Sequence, residues 1–441
     1  MPPEGSRRER TRVADEIRDH GVVGAGGAGF PTDVKYRKPL RTVIVNAAEC
    51  EPLLHKDKEL LLHFADDFFA GLKIAVELVG AHEAVIGIKA KYGEVIQALE
   101  TRLPKFARIK PLGDFYPAGD EFVLVYDVTG EVIAPGGLPL DVDTVVNNVE
   151  TLINIGRRRP VTRKYVTVAG AVRNPVTVCV PVGAPMRMAI AAAGGATSEP
   201  YGILVGGAMM GNLAQSPDDP ITKTTGGLIV LPDDHPLLRR YRRDWKATHR
   251  IGKSCCDQCV FCTERCPRYL LGHPIEPHKA MRALMFCPEK EMLVVGTTYC
   301  CECNLCSLVA CPENLDPKNV CVYDKQLVRE AGLKWKGAPR GTHPLMNGRR
   351  TPVASVIRKL GLSRFRNVGP LVAEMPRVER VVLPLKQHFG APAVPTVRVG
   401  ERVREGDLIG EIPGKALGAR IHASIAGVVA EVGDSIVIEA R

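Results

Sequence analysis

The sequence predicts a multidomain chain in which an α/β unit is followed by α+β, helical and all-β units. Three observations carry that prediction. Strand and helix patterns alternate through the first ~155 residues, two cysteine runs stand about forty residues apart past the middle, and short strands broken by glycine turns fill roughly the last sixty residues. A chain of 441 residues has room for roughly two to four domains.

The elements follow in order. Apolar Val13, Ala14 and Ile17 among charges predict a short amphipathic helix over 11–20. A glycine-rich stretch, Gly24-Ala25-Gly26-Gly27-Ala28-Gly29, comes next, then a buried strand at 42–46, a helix near 57–79, a strand at 84–88 and a helix at 92–103. Alternation of this kind predicts a largely parallel sheet, and this α/β domain is assigned to residues 1–160. The texture then changes. Short strands at 164–169 and 176–180 flank the turn Arg173-Asn174-Pro175, a helix covers 185–193, and strands return at 203–205 and 227–231. This compact α+β unit is assigned to 161–238. Residues 239–330 hold the cysteines among helical patterns. Residues 331–378 read as a basic connector covering the cysteine domain, with one helix near 354–360. Strands at 396–400, 407–410, 426–429 and 435–438 predict a small all-β domain over 379–441.

The cysteine spacing is the most specific signal. The first run is Cys256-x2-Cys259-x2-Cys262-x3-Cys266-Pro267 and the second is Cys300-x2-Cys303-x2-Cys306-x4-Cys311-Pro312. Each run turns three thiolates to one point, and the Cys-Pro step carries the fourth to another. That is the pattern of two-cluster ferredoxins, in which the fourth cysteine of each run ligates the other cluster. Structural zinc takes four ligands, usually from two separated pairs, and fits this spacing poorly. The expected sets are Cys256, Cys259, Cys262 and Cys311 on one [4Fe–4S] cluster, and Cys300, Cys303, Cys306 and Cys266 on the other. The extra residue before Cys311 calls for a small bulge. Cys301 beside Cys300 leaves the first ligand of the second run open between the two, although only Cys300 keeps the x2 spacing. Cys50, Cys179, Cys287 and Cys321 read as buried small hydrophobes, and Cys255 as a spare. His273 and His278, between the runs, read as loop residues with coordination as the lesser alternative.

Composition narrows the remaining classes. The net charge of +10 is modest and the basic residues are not interleaved with aromatics, so nucleic acid is not an expected partner. No apolar run approaches the roughly eighteen residues of a transmembrane helix. The charged stretch Met1 to Arg10 has no apolar core after it, unlike a secretory signal. Fourteen cysteines in such a chain point to a reducing, cytoplasmic setting and to metal ligation.

Glycines let backbone N–H groups approach a phosphate or a planar ring. Here the loop follows a helix and ends in Phe30-Pro31, so a Rossmann reading of the glycines alone is weak. The wider pattern is more informative. Gly26-Gly27-Ala28-Gly29-Phe30-Pro31-Thr32, Lys35, Asn46-Ala47-Ala48-Glu49-Cys50-Glu51-Pro52 and Asn147-Asn148-Val149-Glu150-Thr151 together resemble the FMN- and NADH-binding subunit of respiratory complex I. The resemblance implies a Rossmann-like FMN/NADH domain. Gly24, Gly26, Gly27, Gly29 and Lys35 would face the flavin phosphate side, and Phe30 belongs to the same cofactor-binding set. Asn46 and Glu49 would lie near the isoalloxazine and nicotinamide, and Asn147, Asn148 and Thr151 near the ribityl phosphate. Gly119 and Glu121 would line the NADH site. Ala25 and Ala48 stand where that family has Arg and Asp, which weakens the implication for tight NADH binding.

Tyr116-Pro117-Ala118-Gly119-Asp120-Glu121, Gly136-Gly137-Leu138-Pro139 and Pro220-Ile221-Thr222-Lys223-Thr224-Thr225 resemble the C subunit of Rnf electron-transport complexes. That group implies a soluble-ligand-binding β-grasp (SLBB) domain, a helical ferredoxin-like two-cluster domain and a barrel-sandwich hybrid domain of lipoyl/biotinyl shape. In this chain the hybrid domain is C-terminal. That order is similar to the cobalamin reductases of propanediol-utilisation microcompartments. The implied activity is NADH-dependent reduction of cobalamin through FMN and two [4Fe–4S] clusters. The implied partners are NADH and a corrinoid or corrinoid-dependent enzyme system, with a microcompartment shell or redox protein beside them. The alternative is a soluble electron-transfer subunit of an Rnf-like or microcompartment complex with a protein acceptor. No general acid–base pair is expected.

Overall fold

The computed structural model describes residues 4–286, 291–337, 340–372 and 376–440. Cys287 lies outside them.

The first unit runs α1 (Glu4–Asp19), β1 (Thr42–Ala47), α2 (Lys56–His63), α3 (Ala65–Val79), β2 (Glu83–Lys89), α4 (Gly93–Glu100), β3 (Ala107–Leu112), α5 (Glu121–Thr129), β4 (Thr144–Asn148) and α6 (Val149–Arg157). The strands form one parallel sheet in the order β3-β2-β1-β4. Val43, Ile44 and Val45 on β1, and Val85 and Ile86 on β2, are fully buried, as a parallel sheet covered on both faces requires. Helices α3 and α6 cross backbone to backbone. A Cβ on Gly71 would collide with the Leu152 carbonyl, and one on Gly156 with that of Asp67. The single helix expected near 57–79 is two helices. The chain turns at Phe64, whose ring sits 5.3 Å from that of Tyr165 and 4.6 Å below the Arg157 guanidinium. That cross-domain packing wins over continuous helix propensity. Strand β3 and helix α5 had no sequence expectation.

The second unit is β5 (Arg163–Gly170), β6 (Val176–Pro181), α7 (Met186–Ala192), β7 (Tyr201–Val205) and β8 (Gly227–Pro232). Its sheet runs β6-β5-β8-β7, with Asn212–Leu213 at the edge. β5 pairs β8 in parallel and β6 antiparallel. The cysteine region follows between α8 (Pro236–Tyr241), α9 (Trp245–Cys255), α10 (Pro277–Phe286) and α11 (Pro317–Glu330).

The connector is more than a cover. Thr351–Pro352 pairs antiparallel with Phe115–Tyr116 of the first unit, α12 (Val353–Lys359) follows, and the Gly369 carbonyl accepts from Thr177 Oγ1 at 2.8 Å. The His343 N–H donates to the Leu270 carbonyl at 2.8 Å. The segment therefore stitches three units together. The last unit holds β9 (Arg380–Pro384), β10 (Leu408–Glu411), β11 (Gly427–Val432) and β12 (Ser435–Glu439). One sheet runs β9-β12-β11 with Arg402–Val403, and a second sets β10 between Val394–Pro395 and Ile421–His422. The strand expected at 396–400 is displaced to Val394–Pro395, because Gly400 at φ +87° and the Glu401-to-Arg398 backbone bond make a turn there. Among the described residues no helix is long and apolar enough to cross a membrane.

Candidate functional site

Strand β1 has β2 on one side and β4 on the other, so connections leave its C-terminal end in opposite directions and open a crevice there. Asn46 on β1 and Asn148 on β4 are register partners at that end and share one face of the sheet. Asn147 points to the opposite face, where it accepts from the Tyr36 hydroxyl at 3.0 Å. The structure thus brings Asn148 and Thr151 to the glycine loop and leaves Asn147 behind the sheet.

The loop is closed by a bridge between Val23 and Pro31 and by the Gly24 N–H donating to the Phe30 carbonyl at 2.9 Å. Its tip, Gly26, Gly27 and Ala28, is exposed. Gly27 takes φ +117°, and a Cβ there would meet no atom within 4 Å. The Ala25 N–H donates to Thr151 Oγ1 at 2.9 Å, tying the loop to the first turn of α6. Asn148 caps that helix by accepting from the Glu150 N–H at 3.0 Å. A Cβ on Gly29 would meet Thr224 Cγ2 at 2.8 Å and His388 Cα at 3.1 Å. The Phe389 N–H donates to the Gly29 carbonyl at 2.9 Å, and its ring stacks 5.8 Å from Phe30. The loop is therefore clamped by the second and last units.

Behind the loop runs a buried chain of charges that no sequence pattern announces. Lys164 Nζ reaches the Ala25 carbonyl at 3.1 Å and Glu150 at 2.5 Å. Lys56 bridges Glu150 at 3.0 Å and Asp57 at 2.5 Å. Asp57 accepts from Asn148 Nδ2 at 2.7 Å, and its N–H donates to Glu49 Oε1 at 2.8 Å. Burial pushes Lys164 down to about 8 against the pull of Glu150. Burial works to raise Glu150, but Lys164 and Lys56 outweigh it and hold the carboxyl below its ordinary range. Glu49 goes up to about 8, through burial first and then the Asp57 charge.

On the far side of the crevice, Lys35 Nζ donates to the Val146 carbonyl at 2.9 Å and stands 3.8 Å from Glu121. Burial raises the Glu121 carboxyl despite that lysine. Asn46 Nδ2 donates to the Gly119 carbonyl at 2.9 Å. Lys35 thus meets Glu121, and Asn46 meets Gly119 two residues before it in the chain.

These residues fit a phosphate-bearing planar cofactor such as FMN. The loop tip offers backbone with no Cβ in the way, and the capped N-terminus of α6 supplies a positive dipole end.

The cysteines fall into two sets by their mutual influence. Burial pushes the Cys262 thiol up to about 12, and Cys256, Cys259 and Cys311 are the charges that add to it. Cys306 is raised by burial, then by Cys300, Cys266 and Cys262, and Cys303 by its contact with Cys301, then by burial, Cys266 and Cys306. Cys311 thus stands near the first run and Cys266 near the second. Among the described residues no three His, Cys, Asp or Glu side chains crowd onto one single-ion position. A four-iron cube takes one thiolate per iron, so its four ligands stand apart, and these two sets fit it.

The two runs repeat each other's backbone. Gln258 and Val260 have φ of +60° and +66°, and Glu302 and Asn304 have +59° and +65°. Counted back from these pairs, Cys300 is the counterpart of Cys256. The Glu302 N–H donates to Cys300 Sγ at 3.4 Å. Cys301 lies against Cys303, Cys266 and Arg268, and the Cys300 thiol against that of Cys321. The extra residue of the second run is absorbed in a single wide turn, Cys306–Ala310, in which the Cys311 N–H donates to the Cys306 carbonyl at 3.1 Å, an i→i+5 bond.

The set containing Cys266 abuts the crevice unit. The Tyr116 hydroxyl donates to the Cys303 carbonyl at 2.8 Å. Arg268, two residues after Cys266, pairs with Asp120 at 2.9 Å and lies 3.6 Å over the Phe122 ring. Asp120 caps the helix that begins with Glu121. Neither Arg268 nor Tyr116 had an expected role at the cysteines. A cation placed just after Cys-Pro was the one sequence signal available. His273 Nε2 meets the Ile133 carbonyl at 2.9 Å and His278 Nδ1 meets Thr263 Oγ1 at 2.8 Å, so both serve protein contacts. The other set is more open, with Cys259 exposed and Cys256 half-buried.

Four family models match the chain. They are the Nuo51 FMN-binding domain over 17–157, the SLBB domain over 165–213, a 4Fe-4S dicluster domain over 255–316 and the RnfC barrel sandwich hybrid domain over 368–441. The cobalamin reductase PduS of Salmonella typhimurium is 44% identical over 442 residues, covering 98% of each chain. That of Citrobacter freundii is 40% identical over 438 residues, covering 98% of this chain and 97% of the relative. One subunit of the Na(+)-translocating ferredoxin:NAD(+) oxidoreductase complex of Acetobacterium woodii is 33% identical over 265 residues, 58% of this chain and 57% of that one.

Proposed function

The chain belongs to the PduS cobalamin reductase family, and from that premise we propose that it is an NADH-dependent oxidoreductase delivering electrons to a corrinoid through FMN and two [4Fe–4S] clusters. The observation that carries the reading is the join between the two halves of the site. A glycine cradle at the switch point of a parallel sheet is tied through Tyr116 and Arg268 to one set of four thiols.

Bound in the cradle, FMN supplies the exchange between a two-electron hydride donor and one-electron clusters. The chain's own residues set up that exchange. The loop tip and the N-terminus of α6 bind the phosphate end. Lys35, Asn46, Gly119 and Glu121 line the opening through which a nicotinamide enters. Glu49, with its carboxyl raised to about 8, is positioned to hold a proton at Oε2 near neutral pH. Cys266, Cys300, Cys303 and Cys306 would hold the cluster nearer the crevice, and Cys256, Cys259, Cys262 and Cys311 the other, whose ligand Cys259 is exposed. The corrinoid is the partner that the relatives' name supports. A microcompartment as the location belongs to the same proposal.

The test is an anaerobic titration of iron-reconstituted protein with NADH, followed by visible and EPR spectroscopy and then by addition of cob(III)alamin. Flavin bleaching, cluster signals and then the cob(II)alamin spectrum are expected in that order. Cluster reduction by dithionite but not by NADH would sink the nicotinamide half of the reading.

A further inference from the structure

A cleft of about 400 Å³ lies where α8, the Cys306–Cys311 turn and the end of α12 meet. Its apolar floor includes Leu308 and Leu360, and its rim carries Arg239, Arg240, Arg243 and Lys359. Among the described residues none of these four cations forms an ion pair. Arg240 donates to the carbonyls of Ser307 at 2.6 Å and Leu315 at 3.0 Å, Arg243 to that of Asn314 at 3.2 Å, and Arg239 to that of Asp234 at 3.0 Å. The nearby carboxylate of Asp316 is taken up by the Ser307 hydroxyl and by Asn319. Four positive charges therefore border one cavity without a matching anion. Leu308 on its wall sits on the turn that supplies Cys306 to one thiol set and Cys311 to the other.

We propose that this cleft is the acceptor site and that it binds the corrinoid by the phosphodiester of its nucleotide loop. The inference rests on the corrinoid reading above and names where that acceptor docks. A whole corrinoid exceeds the cleft, so the cleft takes one edge. An apolar floor suits the methyl-bearing rim of the macrocycle, and the guanidinium forks suit phosphate oxygens. Seated there, the corrinoid lies against the Cys306–Cys311 turn, which carries a ligand of each cluster. Arg240 braces that segment, whereas Arg239, Arg243 and Lys359 are the cations that meet the ligand.

The experiment uses reconstituted holoprotein carrying Arg239→Gln, Arg243→Gln and Lys359→Gln together, with Arg240 kept. The probes are hydroxocobalamin and cobinamide, which keeps the corrin but lacks the phosphodiester. Equilibrium dialysis and NADH-driven reduction are both read. The triple variant is expected to bind cobalamin about tenfold more weakly at low salt, through KM and not kcat. Its cobinamide binding and its NADH–ferricyanide activity should match the parent. Equal cobalamin binding by variant and parent overturns the proposal, as does equal weakening for cobinamide. If the triple variant instead loses only reduction of an acidic protein acceptor, the site belongs to a protein partner and the corrinoid assignment fails. If the parent reduces ferricyanide but neither corrinoid, the acceptor reading itself falls.

Discussion

The Tyr116 hydroxyl and the Cys303 carbonyl, 187 residues apart in sequence, meet at 2.8 Å in the interior. The bond fixes the thiol-bearing loop to the rim of the crevice. Tyr116→Phe leaves that carbonyl buried and unpaired, at a cost of about 1–3 kcal/mol. The urea midpoint should fall accordingly. Stopped-flow reduction of the clusters by NADH should slow while flavin bleaching keeps its rate.

Replacing Glu150 removes the one carboxylate between two buried lysines. In Glu150→Ala, Lys164 and Lys56 are left facing each other, and breaking a buried pair in this way costs about 3–5 kcal/mol. Thermal unfolding should show a large drop, with weakened FMN retention because Lys164 also holds the Ala25 carbonyl.

Glu49 gives a pH signature. Its carboxyl is raised from the ordinary 4.5 to about 8, so the folded state binds the proton more tightly than the unfolded chain. That contribution is fully present below about 4.5 and is lost as pH rises through about 8. Stability of the parent relative to Glu49→Gln should therefore decline across that window and level off above it. Denaturant midpoints at a series of pH values check this, and a flat difference would rule it out.

Gly29 tests the clamp. Gly29→Ala drives a methyl to within 2.8 Å of Thr224 Cγ2, in a backbone at φ +64°. FMN occupancy of the purified protein should fall. Adding Thr224→Ser deletes the opposing methyl and should restore part of it, which a purely local backbone defect would not allow.

Cys300 and Cys301 are separable by iron content. Cys300→Ser should reduce iron from about eight to about four per chain, and Cys301→Ser should leave it near eight. The reverse result would move the ligand to Cys301.

Much of the site is legible in the sequence, for a physical reason. Thiolate spacing reflects how a short loop can aim side chains at one point, so the matching backbone of the two cysteine runs and the irregularity before Cys311 can be read locally. The parallel sheet shows in β1 and β2, where burial on both faces leaves unbroken apolar runs. Asn147 groups with Asn148 in sequence because they are adjacent, yet a strand sends neighbours to opposite faces, and only the register with β1 shows which faces the loop. The chain of Lys164, Glu150, Lys56 and Asp57 is invisible in sequence because its members come from three separate elements. The break at Phe64 is equally hidden, because its cause, Tyr165, lies in the next unit.

The backbone bond between Phe389 and Gly29 also has a bearing on biosynthesis. The residue that closes the cradle is translated about 360 residues after the loop it closes, on the order of 20–70 s later at bacterial ribosome speeds. A nascent or prematurely terminated chain can fold its parallel sheet and still lack the last wall of the flavin seat. Flavin retention thus reports that translation has passed residue 389, and a polypeptide cut short before it would leave the ribosome with both cysteine runs but without a closed flavin seat.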